Sequence, residues 1–244
     1  MLPDAQIPPQ TSISPAPPRL LAPWWHTALL IALLLLASLN GTRSKHAIAD
    51  VSRALQYAWT ILWEWILVGI VWLGTRRRIR LRELIGGRWA TVEDFFLDAV
   101  FAAAFWMAAM FVLGTTAWLM HLTQAGKIES LRRQIGFLVP QTNFELALWF
   151  CVCATAGFCE EIIFRGYLQR QFSMIAHSTL AGVVLSAIVF GASHGYEGVA
   201  RMFLIAIFGL MFGLLAWWRK SLRAGMMAHA WHDALSGTIL RMLK

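Results

Sequence analysis

The sequence is poor in charged residues and in cysteine. Only 14% of its 244 residues are charged, whereas a soluble domain carries about 25%. With 58% hydrophobic residues, the composition excludes an ordinary soluble domain and predicts an integral, multi-pass membrane protein. The cysteines Cys151, Cys153 and Cys159 fall in one apolar run, at spacings that do not suit a disulfide, so we expect packing thiols.

The positive charge of the chain does not indicate a nucleic-acid partner. The formal net charge is +8, but the arginines lie mostly in short segments between apolar runs. Positive charge in such segments sets membrane topology and contacts anionic lipid headgroups. We therefore expect the lipid bilayer, and no nucleic acid, as a partner.

The apolar runs predict an all-α fold, a polytopic membrane helix bundle of seven transmembrane helices, or eight. A helix needs about 20 residues to cross a bilayer, and no strand pattern or long repeat interrupts the series. The predicted helices cover residues 22–40, 54–74, 95–120, 144–172, 179–194, 202–218 and 224–240.

The chain divides into three predicted regions. Residues 1–22 are rich in proline and nearly uncharged, which predicts a disordered tail. Residues 23–94 form an N-terminal helical hairpin and a basic segment, and residues 95–244 hold the remaining helices. Six arginines between Arg76 and Arg88 predict a cytoplasmic surface segment, which places the N-terminus in the cytoplasm and the protein in the cell membrane.

Glu160 and Glu161 end an apolar run that begins at Phe144 and contains one earlier charge, Glu145. An ionisable group at the centre of a spanning helix costs about 2.5 to 3.5 kcal/mol, so the pair indicates a functional site. On an α-helix, Arg165 lies about 40° from Glu161 and about 140° from Glu160. We expect an ion pair between Glu161 and Arg165, which leaves Glu160 free to act as a base or a ligand.

Two further polar clusters lie downstream. His194 follows Phe190 by four residues, at the end of a charge-free run and among small residues. His229, His232 and Asp233 are spaced so that an α-helix carries them on one face. A histidine and an aspartate four residues apart suit metal coordination, binding of a substrate oxygen, or a hydrogen bond that holds helices together.

The predicted helix boundaries separate two of these residues in depth. Glu160 lies toward the inner end of its helix, whereas His194 lies toward the outer end of the next one. A common site therefore requires tilted or broken helices, or a position near the middle of the membrane.

Three motifs occur in the order and spacing of one protease family. They are Glu160-Glu161-x-x-x-Arg165, Phe190-x-x-x-His194 and His229-x-x-x-Asp233. The pattern resembles the CPBP family, the CAAX-prenyl-protease and bacteriocin-processing group of intramembrane endopeptidases, also called the ABI family. The resemblance covers about residues 95–244, which it identifies as a CPBP-like protease core.

The resemblance implies hydrolysis of a peptide bond in a membrane-associated or lipid-anchored protein or peptide. It implies that Glu160 activates the attacking water as a general base and that His194 orients or shares this water. Glu161 and Arg165 would support Glu160.

The resemblance also implies that His229 and the residue at position 233 stabilise the oxyanion. Many family members carry asparagine where this chain has Asp233. An ionised aspartate cannot donate to an oxyanion, so Asp233 is protonated, orients His229 or binds a metal. We favour a glutamate mechanism without a cofactor. A Zn²⁺ ion is the alternative, and its ligands would be Glu160, His194, His229 and Asp233.

Two other functional classes remain open from the sequence. Buried glutamate and histidine chains also line proton pathways, so a transporter or proton relay would use Glu64 as well. A peptide-binding immunity scaffold without catalysis is the other alternative. A protease needs Glu160, His194 and His229 around one water, whereas a relay spreads its groups along the membrane normal. The motifs do not distinguish a prenylated cysteine motif, a bacteriocin leader or a membrane sorting tail as the substrate.

Overall fold

The computed structural model describes residues 20–43, 51–124, 126, 129 and 136–242. The predicted tail at residues 1–22 lies almost wholly outside this part of the chain. The described residues form helices and no strand, which confirms the predicted all-α class. The helices are α1 (Trp24–Arg43), α2 (Arg53–Thr75), α3 (Leu81–Ile85), α4 (Val92–Leu119), α5 (Asn143–Glu160), α6 (Gln169–Ile175), α7 (Thr179–Ser193), α8 (Val199–Arg219) and α9 (Arg223–Met242), with a π-helix at Glu161–Leu168 and 3-10 helices at Gly136–Leu138 and Gly195–Glu197.

The long helices are those predicted from the sequence. Helix α5, the π-helix and α6 form one continuous rod of 33 residues, Asn143–Ile175. Within the described residues, five helices are long and apolar enough to cross a membrane: α1, α2, α4, this rod and α8. Large apolar side chains such as Phe111, which is 76% exposed, face outward. The chain is an integral, multi-pass membrane protein.

Helix α7 is shorter than a membrane span, and its length matches half of the rod. It has 15 residues, and Glu160 precedes the end of the rod at Ile175 by the same number of positions. Both segments therefore rise by about 22 Å from their common turn. The residue that follows α7, His194, comes level with Glu160 near the middle of the rod. The predicted boundaries had placed the two residues at different depths. The structure instead places them at the same level along the rod.

Two glycines allow the helices around this level to approach closely. A Cβ atom on Gly157 would lie 2.8 Å from the backbone of α9 at both Met226 and Ala230. A Cβ atom on Gly191 would lie 2.7 Å from Met202 O of α8. Such close backbone contact requires the smallest residue and is typical of helix packing in membranes.

A buried carboxylate ties α4 to the turn between α8 and α9. Asp98 is 1% exposed and pairs with Arg219 at 2.9 Å and with Arg223 at 2.8 Å. The indole nitrogen of Trp89 donates to the same carboxylate at 2.9 Å. Because each charge has partners, the network can persist in an apolar bundle.

The N-terminal hairpin packs on the middle of the rod. Leu30 of α1 and Leu67 of α2 belong to the same buried apolar cluster as Ile162, Ile163 and Phe164. The residues after Glu160 are therefore enclosed by α1 and α2. The proposed boundary between residues 94 and 95 stays a prediction.

We predict that Gly157→Ala lowers the stability of the protein. The added Cβ meets backbone atoms of α9 that have no flexible end to move aside, and overpacking of this kind costs about 1 to 3 kcal/mol. The measurement is the midpoint of thermal unfolding in detergent, followed by tryptophan fluorescence. Gly114→Ala is the control, because nothing lies within 4 Å of the added atom there. Equal midpoints for the two variants would contradict the proposed close contact.

Candidate active site

Glu160 of α5, His194 of the turn after α7 and His229 of α9 come together in the fold. His194 Nε2 lies 4.0 Å from Glu160 Oε1, and His229 Nε2 lies 3.6 Å from Glu160 Oε2. Both distances exceed a direct hydrogen bond and leave room for a bridging water or a substrate atom. Glu160 Oε2 is buried without a hydrogen-bond partner in the described part of the chain. The carboxylate is therefore available to a small polar molecule.

Glu161 and Arg165 form a buried ion pair, as the spacing predicted. Arg165 Nη1 lies 2.9 Å from Glu161 Oε1, and both side chains are 1% exposed. The guanidinium also donates to Gly209 O at 3.3 Å and lies over the ring of Phe190, 4.3 Å from its centroid. These contacts satisfy a charge that would otherwise be costly to bury.

Glu161 also fixes His229, which the sequence did not predict. The same oxygen, Glu161 Oε1, lies 3.1 Å from His229 Nδ1. A carboxylate accepts here, so His229 carries a proton on Nδ1 and turns Nε2 toward Glu160. The ion pair with Arg165 thus holds the acceptor that orients His229.

The helix that carries Glu161 and Arg165 is not an α-helix, as the predicted angles between their side chains assumed. Residues Glu161–Leu168 form a π-helix, in which backbone hydrogen bonds span five residues. Gln169 N donates to Phe164 O, and Ser186 Oγ of α7 donates to the same carbonyl at 2.8 Å. A side chain four positions on still shares the face of Glu161 in this wider helix, so the pairing with Arg165 persists.

The orientation of His194 follows from its backbone contact. Its Nδ1 lies 2.9 Å from Phe190 O, and Ser193 Oγ is 3.2 Å from the same nitrogen. Because a carbonyl only accepts, the proton is on Nδ1 and Nε2 is free to accept. This Nε2 is the atom that faces Glu160.

Asp233 lies at the edge of the cluster. Its Oδ2 is 3.7 Å from His229 Nε2, and its side chain is 28% exposed. His232, which shares the same helix, packs against the ring of Phe208 with centroids 4.8 Å apart. Asp233 is therefore close enough to stabilise a positive charge on His229, whereas His232 packs against an apolar side chain.

The described residues contain no group of three or more histidine, cysteine, aspartate or glutamate side chains arranged to hold a metal ion. The set predicted for Zn²⁺ comprises Glu160, His194, His229 and Asp233. In this arrangement His229 Nδ1 is bound to Glu161, and only Nε2 could serve as a ligand. The Zn²⁺ alternative stays a prediction, because a histidine that ligates a metal commonly donates its other N–H to a carboxylate, as His229 does to Glu161.

A cavity of about 810 Å³ opens beside Glu160 and His194. The sequence did not predict that the N-terminal hairpin forms much of its wall, because contacts between distant helices leave no local pattern. Ser38 of α1 donates to Ala192 O and accepts from Gly195 N, both at 2.9 Å. It therefore holds the turn that carries His194. Glu64 of α2 also lines the cavity, and its position in an apolar helix was the one signal for it.

Part of the chain matches a known protein family. Residues 141–235 match the family described as type II CAAX prenyl endopeptidase Rce1-like. The matched segment contains all six residues of the predicted site and excludes α1 and α2. The resemblance to the CAAX protease group is thus confirmed, and it supports a peptidase. No curated protein and no solved structure matches the chain significantly.

We predict that Arg165→Lys destabilises the protein by about 2 kcal/mol or more, because lysine lacks the planar fork that contacts Glu161, Gly209 and the aromatic rings. The midpoint of thermal unfolding in detergent measures the loss. The matched control is Arg201→Lys, in a pair with Glu197 that has the same spacing but a 33% exposed arginine. An equal shift in the two variants would show that burial of the Arg165 pair contributes nothing.

Proposed function

We propose that this protein is an intramembrane endopeptidase in which Glu160 activates a water molecule for attack on a peptide bond. The observation that carries the proposal is the convergence of Glu160, His194 and His229, with nitrogen-to-oxygen distances of 4.0 and 3.6 Å. The match of residues 141–235 to a peptidase family supports the same class of reaction.

The first step is attack by water. A water between Glu160 Oε1 and His194 Nε2 bridges the 4.0 Å gap with two hydrogen bonds. Glu160 removes one proton while the water oxygen forms a bond to the carbonyl carbon of the substrate. The electron pair of the carbonyl double bond moves to its oxygen, which becomes an oxyanion.

His229 stabilises this oxyanion. In the proposal both of its nitrogens are protonated: Nδ1–H donates to Glu161 and Nε2–H points to the carbonyl oxygen of the substrate. Asp233, 3.7 Å from Nε2, supports the positive charge on the ring and does not itself donate. Asp233 thus acts on His229 through its negative charge, whereas Glu161 fixes the orientation of the ring.

The tetrahedral intermediate then breaks down. The oxyanion re-forms the carbonyl, the bond between carbon and nitrogen breaks, and Glu160 returns its proton to the leaving amine. The immediate products are a carboxylic acid and an amine, the acid then gives its proton to the amine, and Glu160 regains its ionised starting state.

The substrate is a protein or peptide held in or on the membrane, with the scissile bond near its C-terminus. The cavity beside Glu160 is largely apolar and is bounded by α1 and α2, which suits a lipid-anchored or hydrophobic segment. The matched family is named for CAAX prenyl endopeptidases, and a prenylated cysteine motif is a substrate of this kind. The protein lies in the cell membrane with its N-terminus and the arginines of residues 76–88 in the cytoplasm.

The geometry favours hydrolysis over a proton relay. A relay conducts along the membrane normal and needs groups at successive depths. Here Glu160 and the two histidines approach one point at the middle of the rod. A peptide-binding scaffold without catalysis would tolerate the loss of Glu160, which the following variants test.

We predict that Glu160→Gln and His194→Ala each abolish measurable cleavage, a loss of about a hundredfold or more, while the protein still inserts and folds. Proteomic comparison of C-termini and leader regions in cells with wild-type protein and Glu160→Gln identifies the substrate, and purified protein gives the rate. Exposed His177, changed to asparagine, is the control. Full activity in either site variant would refute the mechanism.

Metal content gives a separate test of the mechanism. We expect purified, active protein to contain no stoichiometric zinc and to keep its rate through a chelator series, because the site residues act as base and hydrogen-bond donors. Elemental analysis on the same sample checks the metal. Activity that is lost with chelator and restored by Zn²⁺ would replace the glutamate mechanism with a metal-dependent one.

A further inference from the structure

The cavity beside Glu160 is lined by acidic side chains and by no lysine or arginine of the described residues. Its walls are mostly apolar and aromatic, with Tyr57, Trp63 and Phe164 among them. The carboxylates that line it are Glu160 and Glu64, and no lysine or arginine does so in the described part of the chain. An apolar cavity that is lined by two carboxylates and by no lysine or arginine attracts a positively charged group.

Glu64 has no role in the mechanism given above. It lies in the middle of α2, and its Oε2 atom is buried without a hydrogen-bond partner among the described residues. Glu64 and Glu160 line the same cavity, so the two belong to one site. A buried carboxylate oxygen without a partner is destabilising unless a ligand supplies a donor.

We propose that Glu64 is a specificity-determining residue that binds a cationic side chain, lysine or arginine, of the substrate close to the scissile bond. This rests on the proposed function for the identity of the substrate. The charged end of the side chain donates to the unpaired oxygen of Glu64. Its aliphatic stem packs along the apolar wall, which includes Trp63.

The position of Glu64 explains why the preference concerns residues near the cleaved bond. Glu64 and Glu160 line the same cavity, so a peptide that reaches Glu160 passes α2. The residue that gives the preference for a basic side chain, Glu64, lies in the N-terminal hairpin, outside the segment that matches the peptidase family. Selectivity for a basic residue is thus a property of this chain's own α2 helix.

The test is binding of two peptides that differ in one charge. The probes are blocked peptides of leucine and alanine with a single central arginine, or with citrulline, which has nearly the same shape and no charge. Binding is measured in Glu160→Gln protein, so that the peptide stays intact and Glu64 is the remaining carboxylate. We expect the arginine peptide to bind about tenfold more tightly than the citrulline peptide. Adding Glu64→Gln should abolish the difference.

The control is Glu93→Gln in the same background, which removes an exposed carboxylate outside the cavity and should leave the preference intact. The proposal is overturned if the arginine peptide has no advantage, if the advantage survives Glu64→Gln, or if Glu64→Gln weakens both peptides equally. Cleavage by protein with Glu160 intact is scored separately. A charge preference without any cleavage would support the site at Glu64 and contradict the proposed function.

Discussion

The site depends on one carboxylate oxygen that two donors share. Glu161 Oε1 accepts from Arg165 at 2.9 Å and from His229 at 3.1 Å, and so joins the central rod to α9. Neither glutamate nor arginine could remain charged in this apolar setting alone. Arg165 neutralises Glu161, so the carboxylate can stay buried and accept a hydrogen bond from His229 Nδ1. The other ring nitrogen, Nε2, then faces Glu160. The pair between Glu161 and Arg165 therefore orients His229, which lies on a different helix, α9.

A second constraint is the depth at which the chain brings its motifs together. The rod continues past Glu160 to Ile175, and the short helix α7 returns over the same length to His194. Close contacts at Gly157 and Gly191 let α9 and α8 pack against this hairpin. The result is a polar site near the middle of an apolar bundle, with a cavity of about 810 Å³ beside Glu160.

The sequence predicted the helices and the side chains that the fold brings together beside Glu160, because apolar length and i,i+4 spacing are local signals. The catalytic roles of these residues stay predictions. The pair between Glu161 and Arg165 followed from spacing alone. The π-helix did not, since the hydroxyl of Ser186 that binds Phe164 O comes from another helix. The contribution of Ser38 was equally hidden, because contacts between α1 and the core join residues far apart in the chain. Glu64 was indicated only by its position in an apolar helix, and its place beside Glu160 was not. The predicted bounds, 144–172 and 179–194, were close to those of the rod and α7. The relative depth of Glu160 and His194 was not predicted, because it depends on how α7 packs back along the second half of the rod.

The central claim is that Glu160 and His194 act on one water, and a double-mutant cycle of the cleavage rate tests it most directly. Conservative variants, Glu160→Asp and His194→Gln, keep measurable single-turnover rates for comparison. If the two residues share a water, the double variant is about as slow as the slower single variant, since either change already displaces that water. If the two losses instead multiply, the residues act independently, and the shared-water site is wrong.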